Sequence, residues 1–194
     1  MYGVTSADGT GTFYVADTDG NRIRKITSGA VVTTFAGSGT SGTVNATGTA
    51  AQFADPRGIK IDNSGNIIVG DRVGNRIRKI TPSAVVTTIA GDGSASFADG
   101  LGTAAKLYAP GGVSYDTNGN IYVTDAGNMR IRKISFTGEV TTIAGTGEVG
   151  YADGNGIDAV FSLPYGITPP DTSGNFYISD YNNGVIRKLT PVFD

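Results

Sequence analysis

Eleven of the fifteen Lys and Arg residues stand in four matching clusters: Arg22, Arg24 and Lys25; Arg76, Arg78 and Lys79; Arg130, Arg132 and Lys133; Arg187 and Lys188. Repeated basic stripes of this kind could follow a phosphate backbone. Each cluster also has an Asp a fixed distance ahead of it, at Asp17, Asp71, Asp125 and Asp180. Pairing Asp17 with Arg24, Asp71 with Arg78, Asp125 with Arg132 and Asp180 with Arg187 gives four equivalent structural ion pairs. A guanidinium half-buried between structural units needs such a carboxylate, and the pair satisfies both groups. A feature repeated in every unit suits a scaffold, because a binding site normally breaks symmetry. The net charge of −2 and a pI near 5.0 also argue against nucleic acid as the partner.

A second acidic series, Asp8, Asp62, Asp116 and Asp171, heads turns such as Asp116-Thr117-Asn118-Gly119-Asn120. Clustered carboxylates can hold Ca²⁺, which takes six to eight oxygen ligands, and Asp17-Thr18-Asp19-Gly20-Asn21 has oxygens at alternate positions. That segment lacks a terminal Glu and occurs once, whereas an Asp at the same hairpin in each unit reads as a side chain capping its own turn. With His and Cys both zero, Ser-His and Cys-His nucleophiles, disulfides and thiolate metal sites are excluded. Ser and Thr are frequent, yet G-x-S-x-G does not occur. Gly37-Ser38-Gly39-Thr40-Ser41-Gly42 lacks the G-K-[ST] ending of a phosphate loop and reads as a surface loop. The expectation is a protein with no catalytic residues of its own, no metal and no cofactor.

The elements that position these residues follow from an internal repeat. The paired Asp residues step by 54, 54 and 55, and Gly3, Gly58, Gly112 and Gly166 step by 55, 54 and 54. A third marker, VTT-x-AG, occupies Val32–Gly37, Val86–Gly91 and Val140–Gly145 in the same register. Within one period there are short β-branched runs (Gly58–Asp62, Ile67–Asp71, Arg76–Thr81, Val85–Ala90) separated by Gly, Asn and Asp. Such residues close hairpins. Four antiparallel strands and a Gly-rich loop describe one blade of an all-β propeller. A β-solenoid is the rival, but its coils are shorter than this period.

The pattern P-x-G-[IV] … G-N-I-Y-V-x-D-x-x-N-x-R-I-R-K-I … V-T-T-I-A-G, clearest from Pro110 to Ile134, resembles the NHL repeat. The loops at Asp99-Gly100-Leu101-Gly102 and Asp153-Gly154-Asn155-Gly156 resemble the extended form found in many secreted repeat proteins. The resemblance therefore implies a secreted or cell-surface setting. It also implies a ring that usually has six blades, which at this period needs roughly 320 residues. The units fall at 1–55, 56–109, 110–163 and 164–194, read as one domain and as a segment of such a ring. The last blade lacks its outer strand, so fifteen strands are expected. The family's propellers serve in protein binding, RNA binding and catalysis, and a fold alone does not choose among these.

Differences between blades are the remaining lead. The residue between Pro and Gly at the start of each innermost strand is Arg57, Gly111 and Tyr165, with Tyr2 in the first unit. The turn after each paired Asp brings Arg72 and Tyr181 to the same rim. Tyr2, Arg57, Arg72, Tyr165 and Tyr181 are therefore the candidate ligand-binding residues, suited to a protein or a small polar ligand. Ordinary solvated loop residues are the competing reading. Phe53, Leu107 and Phe161 share one repeat position, which points to core packing. The open edge Val185–Leu189 and the outward faces of the end blades point to self-association or pairing with further blades. The function read from the sequence is a non-catalytic binding or scaffold module. Its alternatives are a propeller-based hydrolase or lyase with its catalytic blades missing, and an RNA-binding NHL domain. No run of residues is long and apolar enough for a membrane span, and the first residues lack the pattern of a signal peptide.

Overall fold

The computed structural model of the chain describes residues 3–7, 9 and 11–190. Four antiparallel sheets follow one another in sequence. The first comprises β1 (Gly3–Ala7), β2 (Thr12–Asp17), β3 (Arg22–Ile26) and β4 (Val32–Ala36). The second comprises β5 (Pro56–Ile61), β6 (Ile67–Asp71), β7 (Arg76–Ile80) and β8 (Val86–Ala90). A two-residue strand, β9 (Gly100–Leu101), precedes the third set, β10 (Pro110–Tyr115), β11 (Ile121–Asp125), β12 (Arg130–Ile134) and β13 (Glu139–Ala144). The fourth sheet has β14 (Pro164–Ile167), β15 (Phe176–Asp180) and β16 (Val185–Leu189). Apart from β9, strands pair with their sequence neighbours, so each sheet is a meander and a propeller blade. Among the described residues the fourth blade has three strands, as its sequence implies. The expected fifteen strands become sixteen, because the loop into the third blade pairs through β9 with the outer edge of β13.

Each strand alternates its side chains between two faces, and both faces of a middle blade are covered. One cluster joins Ala16, Ile23 and Ala36 of the first blade to Ile59, Ile67, Val69, Ile80 and Val86 of the second. The next joins Ile68, Ile77 and Ala90 to Val113, Val123, Ile134 and Val140, and a third joins Tyr122, Ile131 and Ala144 to Phe176 and Ile178. Phe53, Leu107 and Phe161 are buried in these three layers, one in each, as their shared repeat position implies. The two end faces are uncovered. Val4, Phe13 and Val32 of the first blade are exposed, where their counterparts Ile59, Ile67 and Val86 are buried. Ile186 of the fourth blade is 68% exposed, where Ile77 and Ile131 are 0%.

The innermost strands touch in order, β1 on β5, β5 on β10 and β10 on β14. The repeated glycine is the point of contact. A Cβ on Gly3 would overlap the Arg57 carbonyl oxygen, one on Gly58 the Gly111 carbonyl oxygen, and one on Gly112 would lie 2.6 Å from the Tyr165 carbonyl oxygen. Backbone meets backbone there, so only glycine fits.

The turn-heading acids do as the sequence implies. Asp62 Oδ1 accepts from the N–H groups of Ser64 and Asn66, Asp116 Oδ1 from Asn118 and Asn120, and Asp171 Oδ1 from Ser173 and Asn175. Asp8 lies outside the described residues. The hydrogen bonds from the Asn175 side chain and backbone hold the Asp171 carboxyl at about 2, below its ordinary 3.8. A depressed folded value means that the contribution of this turn is present above about 3.8 and is lost as pH falls through about 2. An NMR titration of the Asp171 carboxyl is expected to place its midpoint near 2, and a midpoint near 4 would refute the capping role.

Candidate functional site

Three of the paired arginines are internal structure. Arg78 Nη1 donates to Asp71 Oδ2 at 2.9 Å, Arg132 Nη1 to Asp125 Oδ2 at 2.7 Å, and Arg187 Nη1 to Asp180 Oδ2 at 3.0 Å. The other oxygen of each Asp accepts a backbone N–H, from Ala54, Tyr108 and Ser162. These guanidiniums also lie over aromatic rings: Arg78 over Phe53 at 5.3 Å, Arg132 over Phe97 at 4.8 Å and Arg187 over Phe161 at 4.9 Å. They are buried more deeply than the expected half, with Arg78 and Asp71 both at 0% exposure. The fourth pair differs. Arg24 and Asp17 stand 3.9 Å apart and are 31% and 36% exposed, because no blade covers that side of the first sheet. The first Arg of the first three clusters has a separate role that the sequence did not announce. Arg22, Arg76 and Arg130 donate to the carbonyls of Ser38, Asp92 and Thr146, pinning the Gly-rich loop that leaves each blade.

The residues that differ between blades do converge. Arg57 and Tyr165 head the innermost strands of the second and fourth blades, and Gly111 stands between them with no side chain. Arg57 Nη1 reaches across to donate to the Tyr165 hydroxyl. Arg57 Nε donates to both oxygens of Asp55 at 3.1 Å, and Arg72 Nη1 donates to Asp55 Oδ2 at 3.0 Å. The Tyr181 ring lies 6.2 Å from that of Tyr165 and faces solvent. Of the five candidate residues, Arg57, Arg72, Tyr165 and Tyr181 thus share one rim, and Tyr2 lies outside the described residues. Asp55 is the member that sequence reading missed. Its repeat position carries Ala109 and Leu163 in other blades, and that break in symmetry was the available signal. The first blade helps to place it: Asn21 Oδ1 accepts the Asp55 N–H at 3.1 Å, as Asn75 Oδ1 accepts that of Ala109. Thr18, from the turn after Asp17, is buried and donates to the Pro56 carbonyl, so it supports this rim without facing it.

Two guanidiniums on one carboxylate leave an excess of positive charge beside two phenol rings. Such a rim can hold an anionic or polar group with its N–H donors and a flat surface with its rings.

The NHL repeat pattern matches residues 53–80 and 107–134, the blade segments that carry these paired Asp and Arg residues. These two segments are NHL repeats. It is 32% identical over 170 residues to NHL repeat-containing protein 2 of Bos taurus, a match that covers 80% of this chain and 23% of that protein. Among solved structures, an auxiliary nutrient binding protein from Bacteroides ovatus superposes with a TM-score of 0.80 at 21% identity, over 98% of this chain and 48% of that one. Streptogramin B lyase superposes with a TM-score of 0.63 at 16% identity, over 98% and 54%. The chain therefore spans about a quarter of the curated relative and about half of each of these propellers. At those identities the two structures show a shared fold.

Proposed function

We propose that this NHL propeller segment is a non-catalytic binding or scaffold module that recognises a protein or a small polar ligand at the rim formed by Arg57, Arg72, Tyr165 and Tyr181. The observation that carries this reading is the convergence of these side chains across Gly111, at a rim where the blades differ in sequence. The Asp55 oxygens are taken up by Arg57 and Arg72. That arrangement suits a fixed donor array better than a group that must move protons, and so it favours binding over hydrolysis or bond elimination. The deep burial or backbone bonding of the clustered arginines other than Arg24 likewise favours a scaffold over an RNA-binding stripe. The uncovered faces of the first and fourth blades support self-association or pairing with further blades.

The test is thermal stabilisation by a panel of uronic acids, dicarboxylates and short acidic peptides. At least one member is expected to raise the melting temperature of the wild-type chain. A double variant, Arg72→Ala with Tyr181→Ala, should lose that rise while melting within a few degrees of wild type, since Tyr181 is exposed and Arg72 forms a partly exposed ion pair. Equal stabilisation of both proteins, or of neither, would overturn the rim reading.

A further inference from the structure

We propose that a cavity between the second and third blades binds small monocyclic phenols, with the ring in the place that a tyrosine holds in the other blades. That repeat position carries Tyr14, Ile68, Tyr122 and Tyr177, so the second blade alone lacks the phenol. The strand register around it does not change. Tyr14 stands opposite Lys25, Ile68 opposite Lys79, Tyr122 opposite Lys133 and Tyr177 opposite Lys188. Ile68 faces the third blade, where it shares a core cluster with Val113, Val123 and Ile134.

Aromatic rings fill the interfaces on either side. Between the first and second blades Tyr14 meets Phe35 edge-on, with ring centroids 4.9 Å apart. Between the third and fourth, Tyr122 lies against Phe176 at 4.2 Å. Between the second and third, the three corresponding positions are all isoleucine: Ile68 for the tyrosines, Ile89 for Phe35 and Ile121 for Phe176. These side chains border a cavity of about 450 Å³, and small-molecule sites run from about 300 to 1,000 Å³. Phe136 stands at its edge and is 80% exposed, where the first two blades have Ser28 and Pro82. An exposed ring there offers a face to a second ring. Asp62 also lines the cavity, just past the end of β5 that lies away from Arg57, so this site is separate from the rim.

The polar end of the occupant is defined by the same comparison. Asp116 Oδ2 accepts from the Asn120 side chain at 2.8 Å and from the Tyr122 hydroxyl at 3.1 Å. Asp171 Oδ2 repeats this with the Asn175 side chain at 3.0 Å and the Tyr177 hydroxyl at 3.2 Å. Asp62 Oδ2 accepts from the Asn66 side chain at 2.9 Å, and no hydroxyl joins it among the described residues. Burial and the Asp116 carboxylate push the Tyr122 phenol up, so it stays a donor at neutral pH. A phenol seated over Ile68 makes the same charge-assisted bond to Asp62 and buries its ring among Ile89, Ile121 and Phe136.

The test is an NMR titration of the full 194-residue chain with para-cresol and with its methyl ether, which keeps the ring and loses the donor. Para-cresol is expected to shift signals of the turn headed by Asp62 and of Phe136. It should bind on the order of tenfold more tightly than the ether. Ile68→Tyr supplies the ring from the chain itself and should abolish binding while melting no lower than wild type. Asp62→Asn keeps a side chain that can head the turn and replaces one carboxylate oxygen with a donor. It should bring the affinity for para-cresol down to that of the ether, and it reads the bond without adding volume to the core. Equal affinity of the wild-type chain for the phenol and the ether would overturn the proposal. So would no binding of para-cresol, binding retained in a folded Ile68→Tyr variant, or signal shifts confined to the Arg57 rim.

Discussion

Asp71→Ala is expected to destabilise the protein by about 3 to 5 kcal/mol, the cost of leaving a buried partner charge uncompensated. The charge left behind is Arg78, fully buried between the first and second blades. Burial pushes the Asp71 carboxyl up, to about 6, while the Ala54 N–H and Arg78 pull it down. The same burial lowers the Arg78 guanidinium. Both shifts mean that loss of water dominates for this pair and that each partner makes the other tolerable. Removing Asp71 also frees the Ala54 N–H, which donates to its Oδ1 at 2.6 Å. Urea unfolding of the variant should show the loss as a lower midpoint. Asp17→Ala is the internal comparison, since its partner Arg24 is partly solvated at 3.9 Å and exposed pairs contribute under about 1 kcal/mol. Equal losses at the two sites would refute the view that blade packing, and not the pair itself, sets the cost.

Gly58→Ala should cost about 3 kcal/mol, at the upper end for adding one methyl to a packed interior. The new Cβ would overlap the Gly111 carbonyl oxygen and lie 2.9 Å from the Gly112 Cα and the Val113 nitrogen. All three are backbone atoms of β10, so no side chain can turn aside. Relief requires moving the innermost strand of the third blade, which also carries the tight contact of Gly112 with the Tyr165 carbonyl. The variant should therefore melt lower and also shift Tyr165 relative to Arg57, seen as altered NMR signals at the rim. Gly119→Ala is the control: its turn has open space around the missing Cβ, though its positive φ of 82° adds modest strain. A Gly58→Ala protein as stable as wild type would mean that the inner strands are not in contact as described.

The repeat alone determined the blades, because a marker that recurs every 54 or 55 residues must mark equivalent structural places. Hairpin strands, turn-capping Asp residues and the buried Phe53, Leu107 and Phe161 were legible for the same reason: each follows from local spacing and side-chain chemistry. The pairing of Asp71, Asp125 and Asp180 with their arginines was legible too, since both partners recur together. Their depth of burial was not, and neither was the weakness of Asp17 with Arg24. Both depend on whether another blade lies against the sheet, a fact outside any one repeat. The rim was half legible. Its variable residues could be named from the blades' differences, but Asp55 entered only when Arg57 and Arg72, 15 residues apart in sequence, were seen to share its carboxylate. The reach of Arg57 to Tyr165 needed the glycine at position 111 and the curvature of the inner strands. Periodicity determines what each blade is made of. The contacts between blades, which bury the charges and gather the rim, were decided only by how the repeats stack in three dimensions.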